Sequence, residues 1–213
     1  DLNRAGVGVS VGTNGVSIYE HTTSHLPSPL VHQQTLKGWN HISIVYNDKK
    51  PFLYINGQFI KSGLTSEKAQ VVPSGIFGGD NHLGFYKGGL KEIRVWNIAR
   101  TQEEIFKHMN QEMTGNEANL CGYWKLNEGT GTFAHDSSKE NNHGTIHGAK
   151  WVKSNNNTEK NLNVLFTFFV PSGGVETLNR QLFYALNQRG VNCHFLYTQS
   201  GTGLHNKIDA PIY

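Results

Sequence analysis

The chain has little cysteine, little net charge and no long apolar run. Its two cysteines, Cys121 and Cys193, supply neither a disulfide framework nor a zinc cluster, and they mildly favour a reducing compartment. No apolar stretch approaches the roughly 18 residues that a membrane helix needs, so no transmembrane segment is predicted. The 19 basic residues nearly balance the 16 acidic ones and are scattered, so no nucleic-acid-binding surface is expected.

The first three quarters of the chain predict an antiparallel sandwich. Residues 39–46, WNHISIVY, alternate with the period of a half-buried strand, with Ile42 and Ile44 on one face and His41 and Ser43 on the other. Asn56-Gly57 suits a type I′ hairpin turn because both central residues need positive φ. Further short strands are expected at residues 7–11, 15–19, 75–77 and 90–96. Such a series predicts a sandwich or jelly roll.

A short helix is predicted after this series of strands. Thr101 and Glu104 form a capping box, in which the hydroxyl accepts from the Glu104 amide and the carboxylate reaches back. Ile105, Phe106 and Met109 mark the helix, which should end before Gly115.

Four motifs together resemble the concanavalin A-like, laminin-G-like jelly rolls, which include pentraxin-like modules. They are GWNHISIVYN, FLYINGQFI, FYKGGLKEIRVWNIARTQEEI and NLCGYWKLNEGTGTFAHDSSKENNHGTIHGAKW. The resemblance covers residues 1–153 and implies a module that binds carbohydrate or a protein partner. The usual opening strands are missing, so residues 121–151 either complete this sandwich or begin another repeat.

Residues 163–190, NVLFTFFVPSGGVETLNRQLFYALNQRG, follow a different pattern. The apolar run at 164–170 predicts a parallel strand covered on both faces. An apolar stripe along 178–186 predicts an amphipathic helix ending at Gly190, and residues 191–197 predict a second strand. The fold class is therefore mainly β, a jelly roll followed by a partial, Rossmann-like β-α-β segment. That segment is too small to bury its own sheet, so the rest of its domain is expected beyond the sequence.

Residues 161–213, after a linker at 154–160, resemble the N-terminal half of GT-B glycosyltransferases of the family-4 type. The resemblance rests on NVLFTFFV, PSGGVETL and ALNQRGVNCHFL. It implies that Gly173 and Gly174 lie near the acceptor and the diphosphate of a nucleotide-sugar donor. Glycines allow close approach of a substrate, and free amides at a helix start favour anionic oxygens. The donor-binding glutamates of the family's C-terminal lobe have no counterpart, so no catalytic residue is assigned and this fragment alone should not transfer sugar.

The leading hypothesis is a fragment of a multidomain glycosyltransferase that carries an accessory jelly roll. The alternative is a non-enzymatic carbohydrate-binding or adhesion module. Nucleotide-sugar donors and unpaired cysteines favour the cytoplasm, whereas laminin-G-like modules are usually found outside the cytoplasm or at the cell surface.

Two polar segments of the jelly roll are candidate calcium sites. Asp136 could bind calcium together with the side-chain oxygens of Asn141 and Asn142. The commoner interpretation is a polar turn in which Asp136 bonds its own backbone. The same alternatives apply to Asp80-Asn81.

His143 and His147 are expected to be exposed, and the tryptophans are expected to be structural. His143 and His147 have the four-residue spacing of a zinc site on a helix, but Gly144 and Gly148 indicate a loop or strand with exposed imidazoles. The tryptophans could stack on sugar rings, yet each belongs to a strand motif where a core aromatic is commoner. They are Trp39, Trp96, Trp124 and Trp151.

Overall fold

The computed structural model describes residues 3–22, 27–73, 76–80, 84–152, 163–169 and 195–198. The strands of these ranges are β1 (Arg4–Gly12), β2 (Gly15–His21), β3 (Leu30–Gln33), β4 (Trp39–Asn47), β5 (Lys50–Ile55), β6 (Gln58–Ser62), β7 (Gln70–Pro73), β8 (Ile76–Phe77), β9 (Gly79–Asp80), β10 (Gly84–Phe85), β11 (Gly89–Trp96), β12 (Leu120–Trp124), β13 (Phe133–Ala134), β14 (Gly144–His147), β15 (Asn163–Phe169) and β16 (Phe195–Thr198). Their helix is α1 (Gln102–His108). The described part of the chain is therefore mainly β, as predicted.

Two larger sheets form a sandwich. One has the strand order β3-β2-β1-β7 and the other has the order β12-β11-β15-β4-β5-β6. A smaller sheet, β13-β14-β16-β8, and the pair β10-β9 complete the described arrangement. Most pairings of the described strands are antiparallel, and the sheets are consistent with a jelly roll.

The core lies between the two larger sheets because alternate residues of their strands face inward. Val7 and Ile18 come from one sheet, and Ile42, Leu53 and Ile93 come from the other. All five are fully buried, so the alternating pattern of the sequence identifies the inward face correctly.

Strand β4 departs from its prediction because it is buried on both faces. Ile42 and Ile44 face the main core, whereas Val45 packs with Ile105 of α1 and Tyr123 of β12 on the opposite face. The prediction of a half-buried strand is therefore wrong. The helix covers the face that the alternating pattern assigned to solvent.

Both the hairpin turn and the capping box are confirmed. Asn56 and Gly57 have φ angles of 52° and 76°, as a type I′ turn requires. The side chain of Thr101 accepts from the Glu104 amide, and the Glu104 carboxylate accepts from the Thr101 amide. A second turn, Asp48-Lys49, has φ angles of 47° and 63° and joins β4 to β5 without a glycine.

Residues 120–152 complete the sandwich. Strand β12 pairs with β11, and Trp124, Ala134 and Ile146 lie in the same core cluster as the residues of β1 and β4. Of the two interpretations left open by the sequence, completion of the existing domain is the one observed.

The predicted strand at 164–170 is present as β15, and it pairs in parallel with both β4 and β11. The second predicted strand is present as β16, which belongs to the small sheet with β14 and β8. These two strands lie in different sheets and do not form the predicted β-α-β unit, because β15 pairs with β4 and β11 of the sandwich. The predicted helix, its glycine turn and the linker at 154–160 lie outside the described residues, so the domain boundary stays a prediction.

Candidate functional site

A small pocket lies between α1 and the outer face of the second sheet. His41, Arg94 and Trp96 line its sheet side, and Arg100 and His108 line its helix side. The empty volume is about 230 Å³, part of it open to solvent. Pockets with perturbed ionisable groups are the usual first candidates for active sites.

Arg94 lies at the floor of this pocket and is 3% exposed. Its Nη1 donates to the carbonyl of His108 at 2.7 Å, and its Nη2 donates to Glu92 Oε2 at 2.6 Å and to the carbonyl of Gln111. His108 is the last residue of α1 and Gln111 follows it, so the cation also complements the negative end of the helix dipole. Arg94 therefore holds the helix end against the sheet.

Glu92 and Tyr123 complete this arrangement, which we call the helix clamp (Glu92, Arg94 and Tyr123). Glu92 has a φ of 55° at a register shift of β11. The Tyr123 hydroxyl donates to Glu92 Oε2 at 2.8 Å and accepts from the Met113 amide at 3.2 Å. Burial raises the pKa of Tyr123 to about 12. The hydroxyl and the carboxylate are thus used to join structural elements.

His41 lines the pocket and has a strongly shifted pKa. Burial, with a smaller contribution from the positive charge of Arg94, lowers the pKa of His41 to about 4. Its imidazole is therefore neutral near pH 7, and that pKa is far from the operating range of a general acid or base. The pocket is best explained as the packed joint between α1 and the sheet.

Asp136 is buried, and four protein donors occupy its carboxylate. Oδ1 accepts from the amides of Tyr123 and Ser138, each at 2.8 Å. Oδ2 accepts from the Ser138 hydroxyl and the Asn142 amide, each at 2.8 Å. A calcium ion needs free oxygen lone pairs, so this carboxylate does not fit a calcium site and instead forms the polar turn that the sequence favoured. Asn142 takes part through its backbone and through a bond from Nδ2 to the carbonyl of Cys121.

The other candidate metal residues are dispersed. Within the ranges that the structure describes, no group of three or more His, Cys, Asp or Glu residues could hold a metal ion. His147 is exposed as predicted, whereas His143 is only half-buried and accepts from the Asp136 amide at 3.1 Å. Asn81 lies outside the described residues. Calcium binding elsewhere in the jelly roll stays a prediction.

The four tryptophans divide into two groups. Trp96 and Trp124 are buried in the core, as the sequence predicts. Trp39 is half-buried beneath the Lys91 ammonium, which lies 4.5 Å from the ring centroid. Trp151 is also half-buried, and its Nε1 donates to a backbone carbonyl at 2.7 Å.

An exposed aromatic ring lies instead on the β5-β6 hairpin, next to two half-buried rings. Phe59 is 47% exposed, and its ring centroid lies 5.6 Å from that of Tyr54 and 6.3 Å from that of Phe52. We call these three residues the aromatic platform. Phe52 and Tyr54 are half-buried because they pack on the cluster beneath α1, which includes Val45, Ile105 and Tyr123. The platform thus has a fixed base and an accessible outer ring.

The platform extends toward α1 and carries a positive charge at its other side. Phe106, on the helix, is 56% exposed, and a Cβ at Gly57 would lie 2.8 Å from its ring. The Lys50 ammonium lies 5.9 Å from the centroid of Phe52. The surface therefore combines apolar ring faces with a nearby cation.

The sequence prediction of sugar-stacking residues named only tryptophans and did not include the platform. The register of the β5-β6 hairpin could have indicated it. A two-residue turn at Asn56-Gly57 fixes the hairpin register, so residues next to the turn pair first. Tyr54 is then paired with Phe59, as observed, and Phe52 shares the Tyr54 face by strand alternation.

A separate exposed ring lies on the β13-β14 hairpin. Phe133 is 52% exposed, and its centroid lies 5.1 Å from that of His143. His135 Nδ1 lies 3.2 Å from His143 Nδ1. This smaller group provides one exposed apolar ring, compared with the three contiguous rings of the platform.

Comparison with known proteins supports the jelly roll. Residues 6–106 match the Laminin G 3 family model, described as the concanavalin A-like lectin/glucanases superfamily. Neither the curated proteins nor the solved structures gave a match. The match supports a concanavalin A-like, laminin-G-like jelly-roll domain in this part of the chain. The match does not extend to Gly173 and Gly174, which also lie outside the described residues.

Membrane association through a helix receives no support from the described residues. None of their helical segments is both long and apolar enough to span a bilayer.

Proposed function

We propose that the jelly-roll domain binds carbohydrate through the aromatic platform. The observation that carries this proposal is the cluster of Phe52, Tyr54 and Phe59 on the outer face of the β5-β6 hairpin. The family match, whose description includes lectins, is compatible with carbohydrate binding.

The chemistry of sugars suits such a surface. The C–H face of a pyranose ring is apolar and stacks on aromatic rings, while its hydroxyls bond to polar groups around the contact. Phe59 offers the accessible ring face, and Tyr54, which meets it at an interplanar angle of 61°, adds a phenolic hydroxyl. Lys50 beside Phe52 supplies a donor that also favours acidic sugars. We infer a neutral or acidic glycan as the ligand class.

The direct test is a glycan array followed by calorimetry on the whole chain. The whole chain is needed because β15 lies between β4 and β11, and a protein cut at residue 153 would lack that strand. Phe59→Ala should weaken binding of the best glycan about fivefold, since an aromatic contact contributes on the order of 1 kcal/mol.

Phe133→Ala is the matched control because it removes an equally exposed phenylalanine from the other hairpin. It should leave the affinity unchanged. Loss of binding in Phe133→Ala with none in Phe59→Ala would transfer the site to the β13-β14 hairpin and contradict the platform. Absence of any glycan binding would favour a protein-contact module.

We also propose that the parent protein is a nucleotide-sugar-dependent glycosyltransferase. The support is the sequence of residues 161–213, in which Gly173 and Gly174 follow an apolar strand and precede an amphipathic helix pattern. The test is release of nucleoside diphosphate from nucleotide sugars by the product of the full reading frame. Gly173→Val should abolish release by blocking approach to the backbone, whereas Phe133→Ala, at an exposed site of the jelly roll, should not.

A non-enzymatic adhesion module remains the second candidate, and cell fractionation bears on the choice. Nucleotide-sugar donors are cytoplasmic, so the enzyme proposal carries a cytoplasmic location with it. Recovery of the protein at the cell surface, with no nucleotide-sugar turnover, would favour the adhesion module.

A further inference from the structure

The second large sheet is closed by a strand from the far end of the chain. β4 and β11 belong to one sheet only through β15, which lies between them. The pairing with β4 runs from Asn163 opposite Trp39 to Phe169 opposite Val45, and the pairing with β11 runs from Gly89 to Trp96. We call the space between β4 and β11 the strand slot.

The strand slot needs an apolar occupant on both faces. Its β4 wall is buried on both sides, with Ile44 in the main core and Val45 in the cluster beneath α1. On the β11 wall, Val95 and Trp96 divide between the same two clusters. A segment with the sequence NVLFTFF, nearly unbroken in apolar residues, matches this environment, whereas an alternating strand would place polar groups in one of the clusters.

An empty slot would leave two strand edges with unpaired amides and carbonyls. Such edges readily accept strands from other chains. All pairings of β15 are with residues far away in sequence, so the strand joins the sheet only after a large loop has closed. During folding the slot is therefore open to any copy of the segment.

The connection to β15 does not dictate which copy fills the slot. Residues 153–162, KSNNNTEKNL, have the polar composition of a linker. Ten residues in an extended conformation reach about 30 Å, enough to pass to an adjacent molecule.

We propose that the slot between β4 and β11 is a strand-acceptor site and that it takes residues 163–169 of a second copy, giving a strand-exchanged dimer. The exchanged segment makes the same parallel pairs with β4 and β11 as it does within one chain. The fraction of dimer therefore rises with the protein concentration during refolding, because loop closure within one chain competes with association.

Disulfide trapping between two single variants tests this proposal. Thr167 pairs with Ser43, and adjacent strands lie within the Cα separation that a disulfide spans. Ser43→Cys and Thr167→Cys, each in a background with Cys121→Ser and Cys193→Ser, are refolded together with tags of different mass. A mixed disulfide can form only if the segment of one copy enters the slot of the other. We expect its yield to rise at least several-fold between micromolar refolding and refolding at a hundred times that concentration.

Two controls make the result specific. Asn47→Cys lies on the same strand but roughly 13 Å from the register position of Thr167, and its exposed site should give little mixed disulfide. The double variant Ser43→Cys/Thr167→Cys should form its disulfide within one chain at low concentration. Ser43 suits this change because its buried Oγ has no hydrogen-bond partner among the described residues.

Three outcomes would overturn the proposal. One is a double variant that closes its disulfide while the single variants never form a mixed one. Another is a double variant that does not close its own disulfide, which removes β15 from the slot. The third is equal trapping at Asn47→Cys, which makes the contact nonspecific. Glycan binding is not the readout, so failure here is distinguishable from failure of the carbohydrate proposal.

Discussion

The carboxylate of Asp136 accepts the backbone amide of Tyr123 at 2.8 Å. The same side chain accepts the amides of Ser138 and Asn142. One buried carboxylate thus fixes a polar loop to strand β12, and Trp124 Nε1 adds a further bond to the carbonyl of Asn142 at 2.9 Å. The segment that completes the sandwich is therefore held by charge-assisted hydrogen bonds as well as by apolar packing.

Asp136→Asn should destabilise the fold by about 2–4 kcal/mol. Both carboxylate oxygens accept a backbone amide, so either orientation of the asparagine amide places an NH₂ group against a backbone N–H. Urea denaturation followed by tryptophan fluorescence measures the change. Glu140→Gln, an exposed neighbour, should stay within about 0.5 kcal/mol of the parent. Equal midpoints for the two variants would contradict the role of Asp136.

Local sequence patterns predicted the strands and the helix well. They did not predict which distant segments cover or pair with each strand. The Asn56-Gly57 turn and the Thr101 cap depend on neighbours in sequence, so both were predictable. The burial of both faces of β4 depends on where α1 docks, which the alternating pattern cannot report. The apolar run at 164–170 correctly indicated a parallel strand, but its neighbours in the sheet depend on tertiary competition between partners.

The candidate site shows the same division. The rings of the aromatic platform are fixed by hairpin register, so Tyr54 and Phe59 were within reach of sequence reasoning. Their exposure was not, because it depends on how far α1 extends over the sheet. The four hydrogen bonds that Asp136 accepts could not be predicted from the sequence either, since the donors Tyr123 and Asn142 lie on separate segments.

Arg94→Met should destabilise the protein by about 3–5 kcal/mol. The change leaves the Glu92 carboxylate without its cation and leaves the carbonyls of His108 and Gln111 without their donor. Limited proteolysis should also show earlier cleavage near α1, because the helix loses its clamp. The comparison variant is Glu112→Gln, which breaks the exposed ion pair with Lys125 and should leave the midpoint unchanged. Similar losses in both variants would show that the clamp is no stronger than a surface pair.

Gly122→Ala should cost about 1–3 kcal/mol because a Cβ there would overlap the ring of Trp124. The buried indole would have to move, so its fluorescence emission should change even in the folded state. Gly129→Ala is the reference: its φ is +73° with open space around the Cβ, and only the backbone strain of about 1 kcal/mol applies. An unchanged emission spectrum in Gly122→Ala would contradict the close packing.

The low pKa of His41 should make the fold sensitive to acid. Because burial lowers its folded-state pKa to about 4 from an ordinary value of about 6.5, the unfolded chain binds a proton that the native chain does not. The contribution of the neutral His41 to the free energy of unfolding is complete above about pH 6.5. About 3 kcal/mol of it is lost as the pH falls to about 4. Urea midpoints between pH 7 and pH 4 should fall more steeply in the parent than in His41→Gln. His147→Gln, at an exposed site, should keep the parent's slope, and an unchanged slope in His41→Gln would contradict this origin of the acid sensitivity.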